Sequence, residues 1–128
     1  MEWIRIDNME EKMYSYKYPH PAVTTDCVIF GFDGKRLHIL LIERGLEPYK
    51  GYWALPGGFL RRDESIDDCA FRELKEETNL TPVSMLWVDS FTAPDRDPRG
   101  WIISHAYASV ISEENAKVFG GTDASDAK

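Results

Sequence analysis

The sequence predicts an α/β domain: a mixed β-sheet with helices on its faces. Three observations lead there. Residues 23–32, 36–43, 83–92 and 101–111 are rich in β-branched, aromatic and aliphatic side chains and read as strands. Residues 65–78 carry helical periodicity bounded by helix-end residues. A tight Asp33-Gly34 turn links the first two apolar segments as a hairpin. Strands flanking one strong helix bury their apolar faces best as a sheet under helical layers. The order of the strands does not follow from the sequence.

Taken in order, residues 1–18 mix charges and tyrosines without clear periodicity and read as an extended or weakly helical arm. The domain, residues 19–128, is entered at Pro19-His20-Pro21. Residues 36–43 (RLHILLIE) are apolar enough to be one central, buried strand. Residues 44–51 form a loop with Pro48 and two glycines, and a short apolar run, 52–55, ends at Pro56. Beyond the helix, a proline-broken loop at 93–100 (APDRDPRG) separates the last two strands. Residues 112–128 are polar and show no periodic segment. No internal repeat or low-complexity tract is present.

A chain of 128 residues with 43% hydrophobic and 29% charged content is one soluble globular domain with a sizeable core. No apolar run reaches the roughly 18 residues of a membrane span, and the first 20 residues lack the basic and apolar regions of a secretory signal. Cytoplasmic localisation is therefore expected, with no membrane partner. Cys27, in a strand, and Cys69, in the helix, are too few for a disulfide framework and read as buried thiols. A net charge of −7 with no basic stripe disfavours nucleic-acid binding by this chain.

The helix is where the chemistry concentrates. Asp63 or Ser65 can cap its start, Glu64, Asp67 and Asp68 favour the positive end of its dipole, and Asn79 tolerates the left-handed cap conformation. On a wheel of about 100° per residue, Ala70, Leu74 and Phe71 share one arc, and Glu73, Glu76 and Glu77 share the next. Such carboxylates repel by a few tenths of a kcal/mol per i,i+4 pair. A solvated face is the commoner meaning of a glutamate run. A divalent cation is the other, because Mg²⁺ takes oxygen ligands and pairs carboxylates with substrate phosphates. It would also reconcile an acidic chain with an anionic substrate.

Spacing changes that weighing. From Gly58 the chain reads Gly, five residues, Glu64, seven residues, then Arg72-Glu73-Leu74-Lys75-Glu76-Glu77-Thr78-Asn79-Leu80. This resembles the signature of the Nudix hydrolases, G-x5-E-x7-R-E-U-x-E-E-x-G-U, where U is a bulky aliphatic residue. Six glycine or charged positions match by identity, an event on the order of 10⁻⁷ per start position at background usage. The departure is Asn79 in place of the late glycine. Asn is the next-best residue for that backbone geometry, so the cap is expected to survive.

The resemblance implies an α/β/α sandwich with the signature as loop–helix–loop. It implies hydrolysis of a nucleoside diphosphate linked to another group, with Mg²⁺ or Mn²⁺ as cofactor. Carried over by position, Glu73 and Glu77 are metal ligands, and Glu76 is a ligand or a base at the bridging water. The carbonyl of Gly57 completes the site, Arg72 holds the carboxylates, and Glu64 stands behind them or serves as a more distant ligand. The family chain normally continues with a further strand and a C-terminal helix, so C-terminal elements are expected to be missing. The apolar segments 83–92 and 101–111 would then lie partly uncovered, and a homodimer is expected.

Outside the signature the signals are weaker. Arg44 and Arg99 are candidates for binding phosphate or a terminal ribose, against the alternative of solvated surface arginines. Tyr49, Tyr52 and Trp53 are candidates to stack on a base, with Trp53 more often core. His105, inside an apolar strand, reads as a satisfied core histidine. The stretch Arg96-Asp97-Pro98-Arg99-Gly100 before a strand resembles a motif of ADP-ribose-processing Nudix proteins, so ADP-ribose or a related nucleotide sugar is the expected substrate. That branch also holds transcriptional repressors of NAD or sugar metabolism, which sense a ligand with the Nudix domain and bind DNA through a winged helix. A sensing domain of that kind is the alternative expectation.

Overall fold

The computed structural model describes residues 14–45, 49–82 and 84–112, together with the backbone of Ala124–Ala127. In chain order the elements are β1 (Ala22–Phe32), β2 (Leu37–Ile39), β3 (Ile42–Arg44), β4 (Trp53–Ala54), β5 (Gly57–Phe59), α1 (Ile66–Thr78), β6 (Leu86–Phe91), β7 (Ile102–Ser112) and β8 (Ala124–Ala127). The fold is mixed α/β, as the sequence predicts. Among the described residues α1 is the one helix, so a second helical layer does not appear there.

The long apolar segments form the spine. β1 and β7 run parallel, in register from Ala22↔Ile102 to Phe32↔Ser112, and β6 extends the sheet antiparallel to β7. The other edge of β1 is shared: β2 pairs with its C-terminal half, and β5 with its N-terminal half, Asp26 lying opposite Gly57. A second, three-stranded sheet runs β4-β3-β8. Parallel neighbours need a long crossover, and α1 lies within the one that joins β1 to β7.

Alternation along β1 fixes which face α1 covers. Thr25, Cys27 and Ile29 are buried and point toward the helix. The Cys27 thiol lies 3.5 Å from the carbonyl of Ala70, and Thr25 Oγ1 lies 3.7 Å from Cys69 Sγ. Leu40, Leu74, Leu80 and Tyr107 complete this core. Fully burying a side chain such as Ile29 or Leu74 stabilises by about 1.5–3 kcal/mol, which outweighs the helix's weak carboxylate repulsion. Both thiols are buried, as expected.

The helix ends are built as their residues suggest. Ser65 is the N-cap, its side chain accepting from the N–H of Asp68 at 3.1 Å. Asn79 is the C-cap at φ 63°, with its N–H donating to the carbonyl of Lys75 at 2.8 Å. The first turn is also tied to the sheet, because the Tyr107 hydroxyl donates to Asp67.

Several expectations change. Residues 36–43 are not one central strand: the chain breaks at Leu40-Leu41, leaving β2 as an exposed edge and passing β3 to the second sheet. Leu40 and Ile42 are buried, whereas Leu37 is 60% exposed. Residues 124–127, expected to be irregular, form β8 against β3. Their sequence, ASDA, gives no apolar alternation, and the pairing is made by the backbone. Trp53 is not core but 43% exposed. The strand expected at 83–92 begins only at Leu86, and Val83 lies outside the described residues. β6 carries several exposed apolar side chains, among them Leu86 and Trp87. Residues 14–18 are exposed and irregular, and the rest of the expected arm, 1–13, lies outside the described residues. Among the described residues no helix is long and apolar enough to cross a membrane.

Candidate active site

The turn into β5 rests directly on the carboxylates of α1. The Gly57 N–H donates to Glu77 Oε1 at 2.8 Å. A Cβ at Gly57 would stand 1.9 Å from the Thr25 carbonyl oxygen. A Cβ at Gly58 would stand 2.4 Å from the Glu73 carboxyl carbon. Two residues without side chains are what permits this approach. Glu73 and Glu77 sit on the buried side of α1, at 8% and 3% exposure, so the glutamate arc is not a solvated face.

Arg72 gathers the remaining carboxylates. Its Nε and NH2 donate to Glu64 Oε2 and Oε1 at 2.8 and 2.7 Å, a two-pronged contact. Its NH1 donates to Glu73 Oε1 at 2.7 Å and to Glu76 Oε2 at 3.2 Å, and its NH2 also reaches the Phe59 carbonyl at 3.1 Å. The Arg72 hydrogen bond holds the Glu64 carboxyl down at about 2, with the Arg61 N–H assisting. In return Glu64, then Glu73, push Arg72 upward. Glu76 is the most open of the three, its side chain 39% exposed.

Gly57 and Gly58 also line an open cavity of about 810 Å³. Glu77 and both glycines reach its wall, and so do both predicted substrate arginines, Arg44 and Arg99. Tyr49, Tyr52 and Trp53 line it too, Tyr49 meeting Tyr52 edge-on with centroids 6.0 Å apart. Arg99 is held by a fork to Asp97, at 3.1 Å from Nε and 2.9 Å from NH2, and lies 5.2 Å above the Phe59 ring. That hydrogen bond draws the Asp97 carboxyl down to about 2 and pushes Arg99 up. His105 is half-buried and within 2.7 Å of Ser90 Oγ, in keeping with a satisfied structural histidine.

The chain thus brings Glu64, Arg72, Glu73 and Glu76 into one network, places Glu77 and Gly57 at its border with the cavity, and sets Arg44 and Arg99 across it. Arg96 and Asp97 line the cavity from the motif quoted above, and Asp26 is a charged cavity residue that the sequence reading did not single out. Asp26 had a signal: it is the sole charged residue in the apolar segment 23–32.

The donors suit a divalent cation in kind. Glu73, Glu77 and the backbone at Gly57 offer hard oxygens around one glycine turn. Among the described residues, however, no three acidic, histidine or cysteine side chains already converge as a metal cage. The physical reason lies in their neighbours: Glu73 and Glu76 face the Arg72 guanidinium, and Glu77 takes the Gly57 N–H.

The chain is similar to several known proteins. The ADP-ribose pyrophosphatase of Methanocaldococcus jannaschii is 40% identical over 111 residues, 87% of this chain and 62% of that protein. The ADPR-responsive transcriptional repressor NtrR of Acinetobacter baylyi is 43% identical over 97 residues, 74% of this chain and 39% of that protein. The chain therefore spans less than two thirds of either relative's length. Among solved structures, the NUDIX domain of Shewanella oneidensis NrtR in complex with ADP ribose superposes with a TM-score of 0.81 at 28% identity, covering 98% of this chain and 82% of that one. The NUDIX domain model matches residues 20–127, almost the whole of the described fold, and the chain belongs to the Nudix family.

Proposed function

We propose that this chain is a pyrophosphohydrolase dependent on Mg²⁺ or Mn²⁺, and that it cleaves ADP-ribose or a closely related nucleoside diphosphate sugar. The observation that carries the reading is the glycine turn, which contacts Glu73 and Glu77 of α1 and, with Glu77, lines a cavity that bears Arg44, Arg99 and three aromatic rings. A cation held by Glu73, Glu77 and the Gly57 carbonyl would neutralise the pyrophosphate and lower the pKa of a bound water. Arg72 holds Glu64, Glu73 and Glu76 in fixed orientations. Arg44 and Arg99 bind phosphate oxygens, Arg99 already oriented by Asp97. Tyr49, Tyr52 and Trp53 offer faces for a base. Glu76, the most exposed carboxylate of the network, is our candidate to take a proton from the attacking water. The ADP-ribose pyrophosphatase and the ADP-ribose complex among the relatives support this substrate class.

The 43% identity to a repressor favours a second reading, in which the same cavity senses ADP-ribose for a regulator. One experiment separates them. ADP-ribose, dGTP and a diadenosine polyphosphate are incubated with the protein and Mg²⁺, and products are resolved by chromatography. The hydrolase reading predicts AMP and ribose 5-phosphate from ADP-ribose. Turnover of another substrate without AMP from ADP-ribose overturns the substrate. Binding of ADP-ribose with no turnover of any compound gives the sensor reading the lead.

A further inference from the structure

Three carboxylates line the cavity: Asp97 forks Arg99, Glu77 takes the Gly57 N–H, and Asp26 accepts from Ser104. Asp26 lines it, within a wall that also carries Arg44, Arg96 and Arg99. A carboxylate there repels phosphate and weakens the arginines' pull on it. Asp26 is nevertheless held in place. Its backbone is paired on both sides, with Gly57 of β5 and with Ala106 of β7. Its Oδ2 accepts from the hydroxyl of Ser104, a residue only 1% exposed. Its Oδ1 has no partner among the described residues, and no buried side-chain oxygen among them lacks one, so Oδ1 is reachable from the cavity. It is a fixed acceptor in the cavity wall.

Such an acceptor can take a neutral hydroxyl donor from a ligand. Of the parts of a nucleoside diphosphate sugar, the sugar offers adjacent hydroxyls, and a carboxylate accepting from them is a common mode of ribose recognition. A third phosphate at the same place would meet a like charge. We propose that Asp26 is a specificity-determining residue: it accepts hydrogen bonds from sugar hydroxyls and makes the cavity prefer nucleoside diphosphate sugars to nucleoside triphosphates. The inference rests on the proposed substrate class but not on hydrolysis.

The test is equilibrium binding by calorimetry in Ca²⁺ buffer, using ADP-ribose, ADP-glucose and ATP with wild type and Asp26→Asn. Wild type is expected to prefer both sugar nucleotides to ATP. Asp26→Asn is expected to reduce that preference by about tenfold or more, weakening the sugar nucleotides while ATP tightens. A thermal melt without nucleotide shows whether the variant folds, and Asp26→Ser takes its place if it does not. An equal change for all three ligands overturns the inference, and so does a wild type without preference. A preference lost in Asp26→Asn, in a protein that hydrolyses nothing, upholds the inference while the hydrolase reading falls.

Discussion

Replacing Arg72 by Ala tests the centre of the carboxylate network. The change removes four side-chain hydrogen bonds to Glu64, Glu73 and Glu76, and one to the Phe59 carbonyl. Glu73, with its side chain 11% exposed, then loses the Arg72 guanidinium. Breaking a buried pair by deleting one partner costs about 3–5 kcal/mol. The arginine and Glu64 keep some contact with water at 18% and 13% exposure, which argues for the lower end, about 3 kcal/mol. Against a domain stability of about 5–15 kcal/mol, that lowers Tm by roughly 10 °C.

The pH dependence adds a signature. Glu64 is held at about 2 against an ordinary value of 4.5, mainly by Arg72. A depressed carboxyl stabilises the fold fully above its unfolded pKa and loses that contribution as pH falls through the folded one. Linkage puts an upper bound of about 3 kcal/mol on this contribution, and solvent contact reduces it to about 1–2 kcal/mol. The gap between wild type and Arg72→Ala should therefore be widest at neutral pH and narrow between pH 4.5 and about 2. Denaturant melts of both proteins at stepped pH measure it. A gap below about 1 kcal/mol at pH 7, or one that ignores pH, would refute the reasoning.

Three other outcomes follow from the same geometry. Gly58→Ala forces a methyl to within 2.5 Å of a Glu73 oxygen pinned by Arg72; we expect a loss of about 1–3 kcal/mol and a larger relative loss of metal affinity, read by melts and Mn²⁺ titration. Asn79 sits at φ 63°, so Asn79→Gly should raise stability by a few tenths to about 1 kcal/mol and Asn79→Ala lower it, and opposite signs in thermal melts are the check. Burial pushes the Cys69 thiol up to about 11 and Cys27 higher still, so iodoacetamide at pH 8 should leave both unmodified in the native protein and alkylate both in denaturant; rapid native alkylation would contradict that burial.

The parts legible in the sequence were those where local chemistry and tertiary packing agree. Helix α1 has its cap residues, its apolar arc and its acidic first turn in one short stretch, and it forms as that stretch suggests. β1 and β7 were legible because both are long and rich in β-branched residues. The division of residues 36–43 was hidden because a continuous apolar run does not say which sheet it joins. That is decided by β1, β4 and β8, which compete for its backbone. Trp53 was misplaced because its size suggests core, while the cavity wall keeps it open. In the site, the resemblance to the Nudix signature singled out Glu64, Arg72 and the three glutamates, and the structure brings Glu64, Glu73 and Glu76 onto Arg72. Asp26, the sole charged residue of the apolar segment 23–32, gained a meaning only from its place in the cavity wall and its contact with Ser104.

The proposed function requires that Glu73 and Glu77 of α1 hold a divalent cation beside the cavity. Mn²⁺ titration followed by electron paramagnetic resonance, on wild type and Glu77→Gln, tests it most directly. The variant keeps an acceptor for the Gly57 N–H, so its fold should persist. The account predicts a saturable Mn²⁺ site in wild type whose affinity falls by about tenfold or more in Glu77→Gln. Equal affinity in the two proteins, or no saturable site in wild type, would contradict it.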